Sequence, residues 1–134
     1  MEMIELTLQE FRGQYYLHDS SIEKIEYDAD KKVLTIKIDF CFWMQLWYDK
    51  TTPKNGLIAV TFEDVSIFEY DEDIADKIFS DELDSEIRDA ELDADGNLEF
   101  FSVEYDYNSD DDIYWLLKIN AANVEVTELE RYNL

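Results

Sequence analysis

Proline, glycine, cysteine and histidine are nearly missing from this chain. Its 134 residues hold one Pro (Pro53), three Gly, one Cys (Cys41) and one His (His18). So few Gly and Pro leave little room for flexible linkers. One cysteine excludes an internal disulfide, and a single Cys with a single His excludes a Cys/His metal framework. That usage fits a reducing compartment. Long apolar runs are also lacking: Phe40-Cys41-Phe42-Trp43-Met44-Gln45-Leu46-Trp47-Tyr48 is too short to span a bilayer. The opening Met1–Phe11 carries acids where a secretory leader needs bases. A cytoplasmic protein is expected.

Basic residues are scarce as well. Eleven Lys and Arg face 34 Asp and Glu, for a net charge of −23. The imbalance is local: between Thr61 and Asp112, 21 acids face only Lys77 and Arg88, a net of −19. Such a surface repels nucleic acid and anionic lipid, attracts basic partners and speeds their association at low salt. The same charge also serves solubility, or life in a high-salt cytoplasm.

What is abundant is core material. Hydrophobic residues make up 46% and aromatics 15%, with nine Tyr, eight Phe and three Trp. That excludes disorder of the low-hydrophobicity kind. A chain of this length buries enough surface for one core, so residues 1–134 read as a single domain.

Thr7-Leu8-Gln9-Glu10 is a capping box, and Leu8, Phe11 and Tyr15 follow at helical spacing, so a helix of about two to three turns starts there. Strand patterns then dominate. Ile22–Tyr27, the polar turn Asp28–Lys32 and the alternating Leu34–Phe42 form a hairpin. Lys50–Gly56 is a loop with Asn55-Gly56 as its turn signal. Leu57–Phe62 and Val65–Tyr70 read as strands. Asp71–Leu83 reads as a second helix, capped by Asp71 or Asp73, with Ile74, Ile78 and Phe79 inward. Ile87–Leu92 and Leu98–Tyr107 make another hairpin around Asp93–Asn97. Ile113–Ile119 and Val124–Leu129 make a last one around Asn120–Asn123. The expected class is α+β, a mainly antiparallel sheet of about seven strands with two short helices.

The two Asp-Ala-Asp turns belong to a longer echo. Residues 22–40 and 87–105 align without gaps at an offset of 65, with Ile22/Ile87, Glu26/Glu91 and Asp28–Asp30/Asp93–Asp95 identical. Shared turn chemistry accounts for this, and so does a pseudo-symmetric sheet.

Three stretches could carry chemistry. His18, Asp19, Ser20 and Ser21 supply the residue types of a hydrolytic triad. Consecutive side chains diverge, however, and no Gly-x-Ser-x-Gly elbow accompanies them. A structural role is expected, with Asp19 or Ser20 bonded to local backbone where helix gives way to strand, and His18 at the sheet's edge. The order of elements over residues 8–43, with Leu17-His18-Asp19-Ser20-Ser21-Ile22 at its centre and Thr61–Val65 as a weaker second element, resembles groups of small uncharacterised bacterial proteins. Some of those groups lie among the immunity proteins of polymorphic toxin systems, so the resemblance implies a toxin-neutralising role. It implies no catalytic function for His18 or Asp19.

Glu91–Glu99 imitates a calcium loop, with carboxylates at Glu91, Asp93 and Asp95 and a glycine, Gly96, at the sixth position. Ser102 stands where calcium needs a bidentate Glu, and strands flank it, so a hairpin turn is expected, with weak adventitious calcium binding as the alternative. Third, aromatics and acids interleave at Phe68–Asp71 and Val103–Tyr107. With Phe42, Trp43, Trp47 and Tyr48 they exceed what a small core absorbs, and exposed rings beside carboxylates suit Arg and Lys.

The reading that follows is a non-enzymatic acidic binding protein without a cofactor, an immunity or antitoxin-like inhibitor that blocks a basic toxin or nucleic-acid-binding protein. Its expected binding residues are Glu72, Asp76, Asp84, Tyr105, Tyr107, Asp110, Asp111 and Asp112. The opposing class is a carboxylate- or divalent-metal-dependent enzyme, for which no spacing singles out a pair.

Overall fold

The computed structural model describes residues 3–49, 54–107 and 109–131. Among these, nine antiparallel strands form one sheet in the order β1-β9-β4-β3-β2-β6-β7-β8-β5. They are β1 (Met3–Leu6), β2 (Ser21–Asp28), β3 (Val33–Cys41), β4 (Asn55–Glu63), β5 (Ile67–Tyr70), β6 (Ser85–Leu92), β7 (Leu98–Asp106), β8 (Asp111–Asn120) and β9 (Asn123–Arg131). The expectation of about seven strands and two helices is corrected to nine strands and one α-helix, α1 (Leu8–Gln14).

Helix α1 forms where the capping box places it. Glu10 N–H donates to Thr7 Oγ1 at 3.1 Å and Thr7 N–H to Glu10 Oε1 at 3.0 Å. Its buried Phe11 stacks on Tyr15 and meets the edge of Phe62 in β4. The second expected helix is only a 3-10 turn at Glu72–Ile74 followed by further turns. Ile74 and Ile78 do pack inward, whereas Phe79 is 47% exposed. Asp71, the expected cap, instead accepts from Leu116 N–H of β8 at 2.8 Å, extending the β5–β8 ladder by a side chain. The five Asp between Asp71 and Asp84 are poor helix formers, and Glu72 and Asp76 repel at i, i+4.

Two connections also differ from expectation. Asn55 and Gly56 open β4, opposite Cys41 and Phe40, and form no turn. Lys50–Pro53 and Asn108 lie outside the described residues. Strands β8 and β9 are not a hairpin: β8 pairs with β7 and β5, and β9 with β4 and β1. The chain crosses between half-sheets at Ala121-Ala122, beside the oppositely directed crossing from β4 to β5. Ser66 N–H to Asn120 O (2.9 Å) and Ala122 N–H to Glu63 O (3.0 Å) tie the crossings together. One core joins the two half-sheets, with Ile36, Ile38 and Phe62 from one and Phe100, Leu117 and Ile119 from the other.

At the seam, β2 and β6 pair only through Ser21–Glu86 and Ile22–Ser85. The pairing is self-complementary at the offset of 65: residue 22 meets the counterpart of 20, and residue 21 the counterpart of itself. The hairpins β2–β3 and β6–β7 thus face each other across a local pseudo-two-fold axis. Each carries a register shift at the equivalent place, around Glu23 and around Arg88. Ser20 and Ser85, also 65 apart, are both fully buried. Between equivalent pairs the second turn is one residue shorter: Leu92 pairs with Leu98, where its counterpart Tyr27 pairs with Leu34. That missing residue shifts the phase of β7. Leu34, Ile36, Ile38 and Phe40 therefore correspond inward to Leu98, Phe100, Ser102 and Glu104. Two apolar core positions become polar ones.

Candidate binding face

Side chains alternate across a strand, so the pairings of β6, β7, β8 and β5 define rows on the outer face of this half-sheet. One row runs Asp89, Phe101, Leu116, the next Glu86, Val103, Tyr114, and a third pairs Tyr105 with Asp112. Glu91, Glu99, Lys118 and Glu69 close the far side. Phe101, Tyr105 and Tyr114 are 43%, 38% and 68% exposed. The result is an aromatic strip bordered by carboxylates, with Lys118 and Arg88 as nearby cations. Lys118 is 3.6 Å from Asp93, and Arg88 is 3.8 Å from Glu86.

Five of the eight residues expected from sequence gather at one end of this strip. Asp84, Tyr105 and Asp112 line a shallow hollow with Glu86 and Arg88. Tyr107, 86% exposed, packs edge-on to Tyr105, whose hydroxyl donates to Asp110. The other three lie apart. Asp111 pairs across from Asp106 and alternates to the opposite face from Asp112. Glu72 and Asp76 are exposed on the 71–83 turns, outside the hollow. Sequence reasoning missed Phe101, Tyr114 and Leu116. The available signal was that Tyr114–Leu117 is apolar in both strand phases, the mark of a strand with two faces to cover.

Beside the seam lies a strained acidic group. Burial, then the charges of Asp84 and Asp39, raise the Glu23 carboxyl above its ordinary range. Burial, then Asp84, raise Asp39 likewise. Asp39 Oδ1 is buried and finds no hydrogen-bond donor among the described residues. A carboxyl raised on folding costs stability above its ordinary value and restores it on protonation. Asp81 and Asp93 are lowered instead, Asp81 by its bond to Lys24 and Asp93 first by Asn97 N–H. Their contribution is lost only as pH falls below about 3.8, the ordinary Asp value. Thermal stability should therefore rise as pH falls from 7 toward about 4.5, the ordinary Glu value, and decline below the Asp range. Asp39→Asn should raise the melting temperature by a few degrees at pH 7 and much less at pH 4.5. Differential scanning fluorimetry across that range decides it; no gain at pH 7 would refute the assignment.

In the opening stretch the side chains of Ser20 and His18 bond to distant backbone, while Ser20 N–H donates locally to Leu17 O at 3.0 Å. Ser20 Oγ accepts from Cys41 N–H at 3.1 Å, and His18 Nδ1 meets Arg88 O at 2.6 Å. Asp19 takes a left-handed turn at φ 67°. In the Asp93 turn, Oδ1 accepts from Asp95 and Asn97 N–H, both at 2.9 Å, and Oδ2 from Asn97 Nδ2 at 3.0 Å. Both oxygens that calcium would use hold the turn. Among the described residues no three His, Cys, Asp or Glu side chains converge as metal ligands. No helix among them is long and apolar enough to cross a membrane. Trp43 and Trp47 are each about half exposed, while Phe42 is buried. Comparison with protein-family models, curated proteins and solved structures finds no significant match for this chain.

Proposed function

We propose that the chain is a non-enzymatic binding protein that blocks a basic protein partner with the outer face of β6, β7, β8 and β5. The observation that carries this reading is the strip of Phe101, Tyr105 and Tyr114, exposed on one sheet face and rimmed by Glu86, Asp89, Asp110 and Asp112. Packing an aromatic strip against a partner releases ordered water over a broad area. The carboxylate rim supplies steering and takes up Lys and Arg, whose stems lie on the rings. The resemblance of Leu17–Ile22 and its surroundings to immunity proteins supports a toxin domain as that partner.

Charge at the rim should set encounter, and the buried rings lifetime. With a partner captured from the native cells and then purified, Asp110→Lys with Asp112→Lys should slow association and flatten its salt dependence. Phe101→Ala with Tyr114→Ala should speed dissociation at least about ten-fold with association little changed. Surface plasmon resonance across a salt series measures both. Unchanged rates in both double variants would sink the reading.

A further inference from the structure

A second recognition element lies at the seam between the half-sheets. Strand β6 is paired with β7 along its length, but with β2 only at Ser85 and Glu86. The last backbone bonds on that side are Asp19 N–H to Ile87 O (3.0 Å) and Ile87 N–H to Ser20 O (2.8 Å). The chain then departs through the left-handed Asp19. From Arg88 to Leu92, β6 therefore has an open side with no strand neighbour among the described residues. Side chains occupy the ladder positions there. His18 meets the Arg88 carbonyl, and the Asp89 carboxylate accepts from Ala90 N–H at 2.9 Å.

Beside this open side runs a groove of about 720 Å³ between β6, the C-terminal end of α1 and the 44–47 loop. Its apolar wall is Tyr16, Leu46 and Trp47, which are 51%, 104% and 46% exposed. The wall is rigid. The Gln45 amide accepts from Tyr16 N–H and donates to Tyr16 O, both at 2.7 Å, and also donates to Cys41 O at 2.9 Å. Trp47 Nε1 donates to Gln14 O at 2.8 Å, so its polar edge is engaged in the scaffold. Asp89 and Glu91 bring carboxylates to the groove, and its one lining cation, Arg12, is paired with Glu91 at 3.0 Å.

We propose that the open side of β6 accepts an extended basic peptide as an added strand, with one apolar side chain of that peptide seated against Tyr16, Leu46 and Trp47. An exposed strand edge is a ready template for such pairing, and alternate side chains then point to one pocket. Binding exchanges one acceptor for another. A peptide carbonyl takes over Ala90 N–H, and the released Asp89 carboxylate pairs with a Lys or Arg flanking the apolar anchor. Both partners of the original bond end satisfied. The negative groove selects basic sequences, as expected from the charges at its mouth. This site meets the aromatic strip at Asp89 and Glu91 of β6, but its apolar anchor lies apart, and its test reads Ala90, Leu46 and Trp47 in place of Phe101 and Tyr114.

The probe is a nine-residue peptide alternating lysine with leucine and phenylalanine, titrated into 15N-labelled protein. Shifts should centre on Ala90, Leu46 and the Trp47 indole, and exchange of the Ala90 amide should slow at least about ten-fold. N-methylation of alternate peptide amides should weaken binding at least about ten-fold, because strand pairing needs those donors. Ala90→Pro removes only an N–H held by Asp89 and should weaken binding similarly. Leu46→Lys, at a fully exposed position, should do so without touching the edge. The N-methylated peptide keeps the test decisive if the Pro variant does not fold. Equal binding of the N-methylated peptide, or of a glutamate version, would overturn the proposal. So would shifts confined to Phe101 and Tyr114, which would favour the aromatic strip alone, or self-association that protects Ala90 without peptide.

Discussion

Replacing Gln45 with alanine is expected to destabilise the protein by about 3–4 kcal/mol, among the largest effects of any single polar side chain here. Gln45 is 5% exposed and makes three hydrogen bonds to main chain, two to Tyr16 and one to Cys41. Its amide acts as a strand peptide would, accepting from one N–H and donating to two carbonyls. Truncation leaves those groups unpaired in a poorly hydrated place, where each costs about 1 kcal/mol or more, and adds a cavity. Gln45→Glu separates the hydrogen-bond contribution from the volume. A carboxylate still accepts from Tyr16 N–H but opposes two carbonyl oxygens, so its cost should approach that of alanine. Urea unfolding at constant m-value reads the loss. A red shift of tryptophan emission should accompany it as the 44–47 loop loosens around Trp47. A cost below about 1 kcal/mol for both variants would mean that the aromatic contacts of Trp47 with Tyr15, Phe40 and Phe42 hold the loop alone.

Glu104→Ala is expected to cost about 2–4 kcal/mol, because it leaves two donors without their acceptor in a buried place. Glu104 is 4% exposed, and its Oε1 accepts from Ser85 Oγ at 2.7 Å and Asp84 N–H at 3.0 Å. Ser85 Oγ in turn accepts from the Trp115 indole at 3.0 Å. These bonds join β6, β7 and β8 next to the seam, at the place where the shorter second turn has put Ser102 and Glu104 in core positions. Glu104→Gln retains an acceptor for both donors and should cost about 1 kcal/mol. The difference between the two variants is the informative quantity. Ser85→Ala orphans the Trp115 indole, so Ser85→Ala and Glu104→Ala should be strongly non-additive in a double-mutant cycle. Additive losses would mean that the serine does not transmit the glutamate's contribution.

Both networks were invisible in the sequence for the same reason. A Gln in an aromatic stretch and a Glu in an alternating strand look like solvent-facing residues until the strand neighbours are known. The phase of β7 illustrates this. Its apolar residues Leu98, Phe100, Phe101 and Val103 occur in both alternation phases, so periodicity does not choose a face. A turn one residue shorter than its counterpart chooses it, by pairing Leu92 with Leu98. The binding strip shares the ambiguity. Tyr105, Tyr107, Asp110 and Asp112 were legible as aromatic and acidic neighbours in one short segment. Their union with Asp84, Phe101 and Tyr114 required the β6–β7–β8 register.

The sequence by itself determined what depends on a few adjacent residues. The capping box sets where α1 starts, because Thr7 and Glu10 satisfy each other's backbone within one turn. The Asp28 and Asp93 turns close because each carboxylate caps N–H groups two to four residues ahead. The concentration of negative charge was likewise legible, since it needs only counting. Tertiary structure decided the neighbours. Strand β1 exists because β9 offers it partners more than 100 residues away, and β8 and β9 part company because each finds a longer ladder elsewhere. Asp71 abandons its helix because the Leu116 N–H needs an acceptor. Backbone donors and acceptors must all be satisfied at once, and that balance is struck between distant segments that no local window contains.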